Sequence, residues 1–598
     1  MSNDFMDKRW WRSKGEVHAE VYGAATEIAQ SDGRRKRLRW YKEMYEDEGA
    51  ESFDPDLGNE TRNNVTQNGI DAVHARLLQA QPRPTFDTFA GDWSLQRRAK
   101  KLSLWMDGEF ERLQVYDEIG DLALQDALTE GDAVVKGFID DDDRPGLELV
   151  WAGDIHIPRR EHRPLRHRPR PLYQAHHIDR EGRAERHPEH RDTILGADGG
   201  FDDEQLDDIT ETEALSDFVM VVEAWRLGGK DGKGGKYALC VSNATLVYED
   251  WEHDRFPFAV LRCWKKSRSF WSQGFAQRLY GPQAELNDMS GAVAGSYGAF
   301  IPSLWVQTGS DACLNQMDDS PGRLYDYSGD RMPAILAPRG ALQEFSAREE
   351  TLLRRCYEER GISQLSASSV KPAGLNSGKA LNVHQDIESV RFQRLGRNYE
   401  RFFIDIAKLL LFLAEQITES DASNAKKLRA MGGKEGLMSV SYDEVRMSDD
   451  QYRVRVMPVS KLSSSTAARI QEVTEMMQSQ LIDADTGLQL LDMPDLDQYN
   501  SLRSAGRQSV ERAVEMALDG KKAEANGFMP LDYAIKWGTL HALKAQNDGA
   551  PSNAIDRVRD FVSHAHSIKK IQEQEAAQAA AAQQQPAVPQ MPAMPPAA

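Results

Sequence analysis

Four consecutive carboxylates, Asp140, Asp141, Asp142 and Asp143, and an Arg/His-rich run at 159–190 are the residue types here that could do chemistry. Carboxylates and imidazoles together could hold a divalent cation and activate water, which is the chemistry of a metal-dependent nucleic-acid hydrolase. Their spacing argues against it. Neighbouring side chains in a turn diverge, and the D-x-D-x-D-G rhythm of a calcium loop is missing, so DDDDRPG reads as a solvated turn. His162, His167, His176, His177, His187 and His190 form no HExxH pair and no H-x-x-x-H-type pair on a convincing helix, and prolines keep the stretch irregular. A basic, pH-sensitive surface or subunit contact is the expectation. The turn GGKDGKGGK does not satisfy G-x-x-x-x-G-K-[ST] in any register, and no helix follows to hold phosphate, so it reads as a hairpin tip. No Ser/His/Asp or Cys/His arrangement stands out. The reading is a chain that is not an enzyme, with no catalytic residue, no cofactor and no metal.

The elements around these residues centre on 361–420. GISQLSASSVKPAGLNSGKALNVHQDIES begins small, polar and Gly/Pro-punctuated, as an exposed and adaptable loop. From Ser377, a possible N-cap, a helical pattern takes over. Leu395, Tyr399, Phe402, Phe403, Ile406, Leu409, Leu410, Leu413 and Ile417 follow the spacing of one helical face. About 42 residues at ~1.5 Å each predict a rod of roughly 63 Å, with Gly396 as a plausible kink. A loop feeding so long a one-sided helix suits an axial element of an assembly better than the wall of an enzyme pocket.

With 598 residues, 40% of them hydrophobic and 28% charged, the chain can bury several cores and is expected to fold as three or four domains. No signal segment and no run long enough to span a membrane is read from it; the apolar burst near 406–413 is broken by Lys408. Cys240, Cys263, Cys313 and Cys356 lack CxxC spacing, and a reduced, intracellular protein is expected. A net charge of −20 argues against clamping nucleic acid over the whole surface, while leaving room for one that lets a polyanion slide past.

Along the chain, 1–50, 64–81 and 94–131 read as helices, 133–139 and 147–157 as a hairpin, and 198–217 as a flexible acidic insertion. Phe275 to Phe300 is a helix whose second half is rich in small residues; Ala292, Gly295 and Gly298 would allow very close helix packing. A compact β-rich excursion follows, then a helix at 342–360, two strands after 437, and a helical region at 460–575. The Ala/Gln/Pro-rich tail at 576–598 is expected to be disordered.

Four patches, taken in order, are NNVTQNGIDAVHARLLQAQPRPTFDT with RRAKKLSLWMD, DALTEGDAVVKGFID with ELVWAGDIHIPR, FPFAVLRCWKKSRSFWSQGFAQRLYGPQAELNDMSGAV, and GISQLSASSVKPAGLNSGKALNVHQDIESVRFQRLGRNYERFF. In that order and spacing the chain resembles a tailed-bacteriophage portal protein, the head-to-tail connector, over nearly its whole length. The resemblance implies an α+β, mainly helical portal fold. It puts a wing at 1–270, stem helices at 271–300 and 342–360, and a clip at 301–341. A tunnel loop would occupy 361–378, the long kinked helix 379–420, further wing strands 421–459, and a crown 460–575. It also implies a homo-oligomeric ring, normally of twelve subunits, at one capsid vertex of the virion, assembled in the host cytoplasm. Implied partners are double-stranded DNA in the channel, major capsid and scaffolding proteins, the terminase large subunit and a tail adaptor. Lys371, Asn376 and Lys379 become sequence-independent, salt-sensitive DNA contacts of the loop. Ala292, Gly295 and Gly298 become packing positions of the stem, and Arg323, Arg331 and Arg339 face the adaptor from the clip. The packaging ATPase would be a partner, since no Walker motif occurs here.

Overall fold

The computed structural model describes residues 9–12, 16–46, 64–78, 81–88, 92–161, 169–197, 217–229, 233–267, 269–299, 303–305, 330, 334–336, 342–360, 378–420, 428–432, 438–447, 451–457, 466–479, 481 and 494–583. Across these the protein is mainly helical with some sheet.

Val17–Asp32 (α1) and Arg34–Glu46 (α2) are joined by Gly33 alone, whose φ of 54° is the left-handed conformation that ends a helix without Cβ strain. Asn64 opens Val65–Leu78 (α3) by accepting the Gln67 N–H at 2.9 Å. Arg83–Asp87 (β1) and Trp93–Arg112 (α4) follow, then a π-helical turn and Gly120–Glu130 (α5). Next come Asp132–Ile139 (β2), Pro145–Val150 (β3), Ile155–His156 (β4), Pro171–Asp179 (β5), Arg180–Arg186 (α6) and Arg191–Leu195 (α7). The strands resume with Phe218–Arg226 (β6), Lys236–Val241 (β7), Ala244–Asp250 (β8) and Phe258–Arg262 (β9).

Two antiparallel sheets result, β3-β2-β9 and β4-β5-β6-β7-β8. Period-two alternation gives the larger sheet two buried faces. Tyr173, Ala175, Met220, Val222, Ala224, Ala238 and Cys240 pack under Val17, Val21 and Ala25 of α1. On the opposite face, Val219, Val221, Leu239 and Val241 meet Ala184 of α6 and Ile194 of α7. The Arg/His-rich run is therefore not irregular throughout: β5 and α6 lie inside it. Pro171 stands at the first position of its strand, where proline is tolerated, and LYQAHHID then alternates as an ordinary strand.

Beyond two short paired segments, Trp264–Lys265 and Ser272–Gln273, Phe275–Ala299 (α8) leads to a small pair of strands, Ser303–Trp305 with Ala334–Leu336. Leu342–Arg360 (α9) returns, and Gly378–Ser420 (α10) is one helix of 43 residues, helical through Gly396.

The chain divides into two compact units, 1–82 with 110–425 and 83–109 with 426–598. The strands expected to help the wing group with the second unit: Arg429–Gly432 pairs Met438–Ser441, and Arg453–Met457 pairs β1. Thr466–Gln478 (α11), Pro494–Leu518 (α12), Leu531–Asn547 (α13) and Ser552–Gln583 (α14) complete this unit. Val510, Val514, Ala517, Ala534, Ala542, Val558, Phe561 and Ala565 make its helical core. The tail differs from expectation, since the Ala/Gln run stays helical to Gln583; both residue types are good helix formers and extend a helix already nucleated by packing. Cys240, Cys263 and Cys356 are buried thiols outside any disulfide. No helix among the described residues is long and apolar enough to cross a membrane.

Candidate functional site

The helix pair α8–α9 is built from a few specific contacts. Leu279 and Leu286 of α8 bury against Leu352 and Cys356 of α9, with Val65 of α3 closing the cluster. Glu285 accepts from Arg348 at 2.5 Å and Glu349 from Ser290 at 3.5 Å, which adds polar contacts to the apolar seam. Gln283, 3% exposed, ties this pair to α3. Its Oε1 accepts the N–H groups of Val65 and Thr66 at 3.1 and 3.2 Å and the Thr66 hydroxyl at 3.2 Å, while its Nε2 donates to Asn287 at 2.8 Å. A side chain from one helix thereby satisfies the orphan donors that open another.

The entry to α8 is locked by buried charge. Arg34, first residue of α2, lies 3.5 Å from the Trp271 ring centroid and donates to the Ala152 carbonyl at 2.5 Å. Asp132 accepts the Ser272 N–H at 2.7 Å, and Glu130 accepts the Trp151 indole N–H at 2.8 Å. Burial pushes the Glu130 carboxyl up to about 8, with neighbouring Asp126 adding to the shift. Burial also lowers the Arg34 guanidinium to about 10, although Asp132 and Glu130 oppose it. Gly131, at φ 111°, ends α5 by donating to the Ala127 carbonyl at 3.0 Å. A Cβ on Gly274 would overlap the Thr129 carbonyl oxygen and stand 2.7 Å from its carbon and 2.8 Å from the Gly131 nitrogen. Two backbones cross here at a distance only glycine permits.

The C-terminal part of α10 is fixed as firmly. Tyr399, Phe402, Phe403, Ile406, Leu409, Leu410, Leu413 and Ile417 are all buried, so the periodic face read from the sequence is the packed one. Leu409 and Leu413 press on Gly137 of β2, and Asn398 donates to the Arg262 and Cys263 carbonyls at 2.9 and 3.0 Å.

Of the residues singled out earlier, Lys371, Asn376, Arg323, Arg331 and Arg339 lie outside the described residues. Lys379 is the second residue of α10, and Ala292, Gly295 and Gly298 fall in the last turns of α8; their surroundings lie outside the described residues. The acidic segment at 198–216 also lies outside them. Asp140 folds its own turn, its Oδ1 accepting the N–H groups of Asp142 at 3.0 Å and Arg144 at 2.7 Å. His162 and His167 fall outside the description, whereas His176 and His177 sit on β5. Among the described residues no three His, Cys, Asp or Glu side chains gather as a cation site.

His176 instead joins a polar cluster on the large sheet. Glu223 accepts from Lys136 at 2.6 Å and from the Tyr237 hydroxyl at 3.1 Å. Burial pushes the His176 imidazole down to about 4 despite the Glu223 charge beside it, so at neutral pH it carries none. A pH-sensitive surface near neutrality is thus not what His176 supplies. Sequence reading missed Gln283, Arg34, Asp132 and Gly274, because each acts on a partner more than a hundred residues away or on a neighbouring backbone that no local pattern reveals.

What this arrangement can do is mechanical: it holds the α8–α9 pair against α2, α3 and α5, and the C-terminal part of α10 against β2 and β9. No family model and no curated protein matches the chain.

Proposed function

We propose that this chain is a tailed-bacteriophage portal protein, a ring-forming subunit at one capsid vertex through which double-stranded DNA is packaged and ejected. The observation that supports this most is the run α8, paired strands, α9, α10. Two packed helices have a pair of short strands between them in sequence, and a 43-residue helix follows, its C-terminal part packed on β2 and β9. The net charge of −20 is compatible with passage of a polyanion. Terminase, capsid, scaffolding and tail-adaptor partners belong to the same proposal.

The test is the mass and symmetry of the purified full chain, by native mass spectrometry and negative-stain imaging, alone and after co-expression with its capsid proteins. A closed ring of about twelve copies with a central channel, of the kind symmetric assembly produces, is expected. A stable dimer, or a monomer that never enters capsids on co-expression, would overturn the proposal.

A further inference from the structure

On a chain this acidic, one surface of the first unit is strongly basic. The sequence RRKRLRWYK of α2 presents Lys36, Arg37 and Trp40 to solvent, beside Lys266 and the start of α8. Trp40 and Tyr280 are 42% and 45% exposed and stack with centroids 6.5 Å apart at 18°. The Lys36 ammonium stands 5.5 Å from the Trp40 ring centroid, and Lys266 donates to Gln277 of α8 at 3.0 Å.

The cations crowd one another. Burial first, and then the Arg37 and Arg34 charges, hold the Lys266 ammonium below its ordinary pKa, with Asp132 acting the other way. Asp132 is itself buried, and Lys42 pairs with Glu46 at 3.7 Å toward the far end of the helix. Like charges held together cost stability, which a bound anion would recover. The stacked, half-exposed rings narrow the class of anion. Nucleic acid supplies repeated charge together with flat rings, whereas an acidic peptide supplies charge alone.

We infer that Lys36, Arg37, Trp40, Lys266 and Tyr280 form a binding surface for single-stranded nucleic acid, cations on the phosphates and the aromatic pair against sugar or base. The surface lies on one subunit, so the inference holds whether or not the chain forms a ring.

Binding of a labelled oligothymidylate to the full-length protein, followed by fluorescence anisotropy against salt, tests it. The background is Lys371→Ala with Lys379→Ala, so that those lysines contribute nothing. Combining Lys36→Glu, Arg37→Glu and Lys266→Glu should weaken binding about tenfold or more and flatten the log–log salt dependence by about 2. Trp40→Leu should weaken it at unchanged salt slope. Arg512→Glu, Lys536→Glu and Lys570→Glu together, an equal charge change on exposed residues of the other unit, should leave binding as it was. Thermal unfolding of each variant separates lost binding from lost fold. Equal loss from both triple variants, no loss from the first, or polyglutamate competing as well as the oligonucleotide would each overturn the assignment.

Discussion

Two residues, Gly274 and Glu130, shape the entry to α8, and both give measurable expectations. Gly274 faces backbone, which cannot move aside as a flexible side chain can. Gly274→Ala should therefore cost about 3 kcal/mol in urea unfolding, the scale of overpacking. Gly229→Ala, where an added Cβ meets nothing within 4 Å, should stay within about 0.5 kcal/mol. Glu130 gives a pH signature. Its folded pKa of about 8 lies above the ordinary 4.5. Below 4.5 both states are protonated and the favourable contribution is fully present. As pH rises from there to about 8 the unfolded chain ionises while the folded one keeps its proton, so stability is lost across that window, with a slope approaching 1.4 kcal/mol per pH unit, to about that precision. Glu130→Gln should flatten the unfolding midpoint between pH 5 and 8; an unchanged profile would show that this carboxyl ionises freely in the fold.

At the scale of elements, α10 and β2 are matched by a missing side chain. A Cβ on Gly137 would stand 2.9 Å from Leu409 and Leu413 atoms, which are side-chain ends and so able to give. Gly137→Ala should cost about 1–3 kcal/mol, and Leu409→Ala about 2–5 kcal/mol. The double variant should be less damaging than their sum, by about 1 kcal/mol, because the deleted isobutyl makes room for the new methyl. Strict additivity in a denaturant-based cycle would show that the helix does not seat on that glycine. The periodicity of α10 was plain from Leu395, Phe402 and Leu409, yet its docking partner was not. A stripe announces that it will be buried, and only the fold determines against what.

For the whole molecule, the second unit carries an acid-sensitive clasp. Arg97, Lys100 and Lys101 of α4 pair with Glu515 and Asp519 of α12. Burial alone would raise both carboxyls, but hydrogen bonds and charge from Lys100 and Arg97 at Glu515, and from Arg97 and Lys101 at Asp519, outweigh it and leave both below their ordinary values. Depressed values mean that the contribution is present above the unfolded pKa values, 4.5 and 3.8, and is lost as pH falls below them. Glu515→Gln with Asp519→Asn should lower the midpoint at pH 7 and reduce its drop below pH 4; partial exposure keeps the effect near 1 kcal/mol. On the proposed ring, Gly295→Leu should block close helix packing between neighbours, and native mass spectrometry should then find unassembled chain. Rings formed normally by this variant would remove 295 as a packing position.

The sequence by itself determined what local periodicity and turn chemistry govern: the 275–299 and 342–360 helices, the long amphipathic helix, and the β2–β3 hairpin around its acidic turn. It also held the order of patches that carries the portal resemblance. Only the tertiary structure decided that the histidine-bearing run threads a buried strand. That choice depends on β5 finding β4 and β6 on its two sides, a pairing whose partners lie far along the chain. The same holds for Gln283 capping α3, and for Lys36, Arg37, Lys266 and Tyr280 sharing one face. Helical and strand periods act over a few residues, whereas burial of charge and the convergence of cations depend on which distant segments fold against each other.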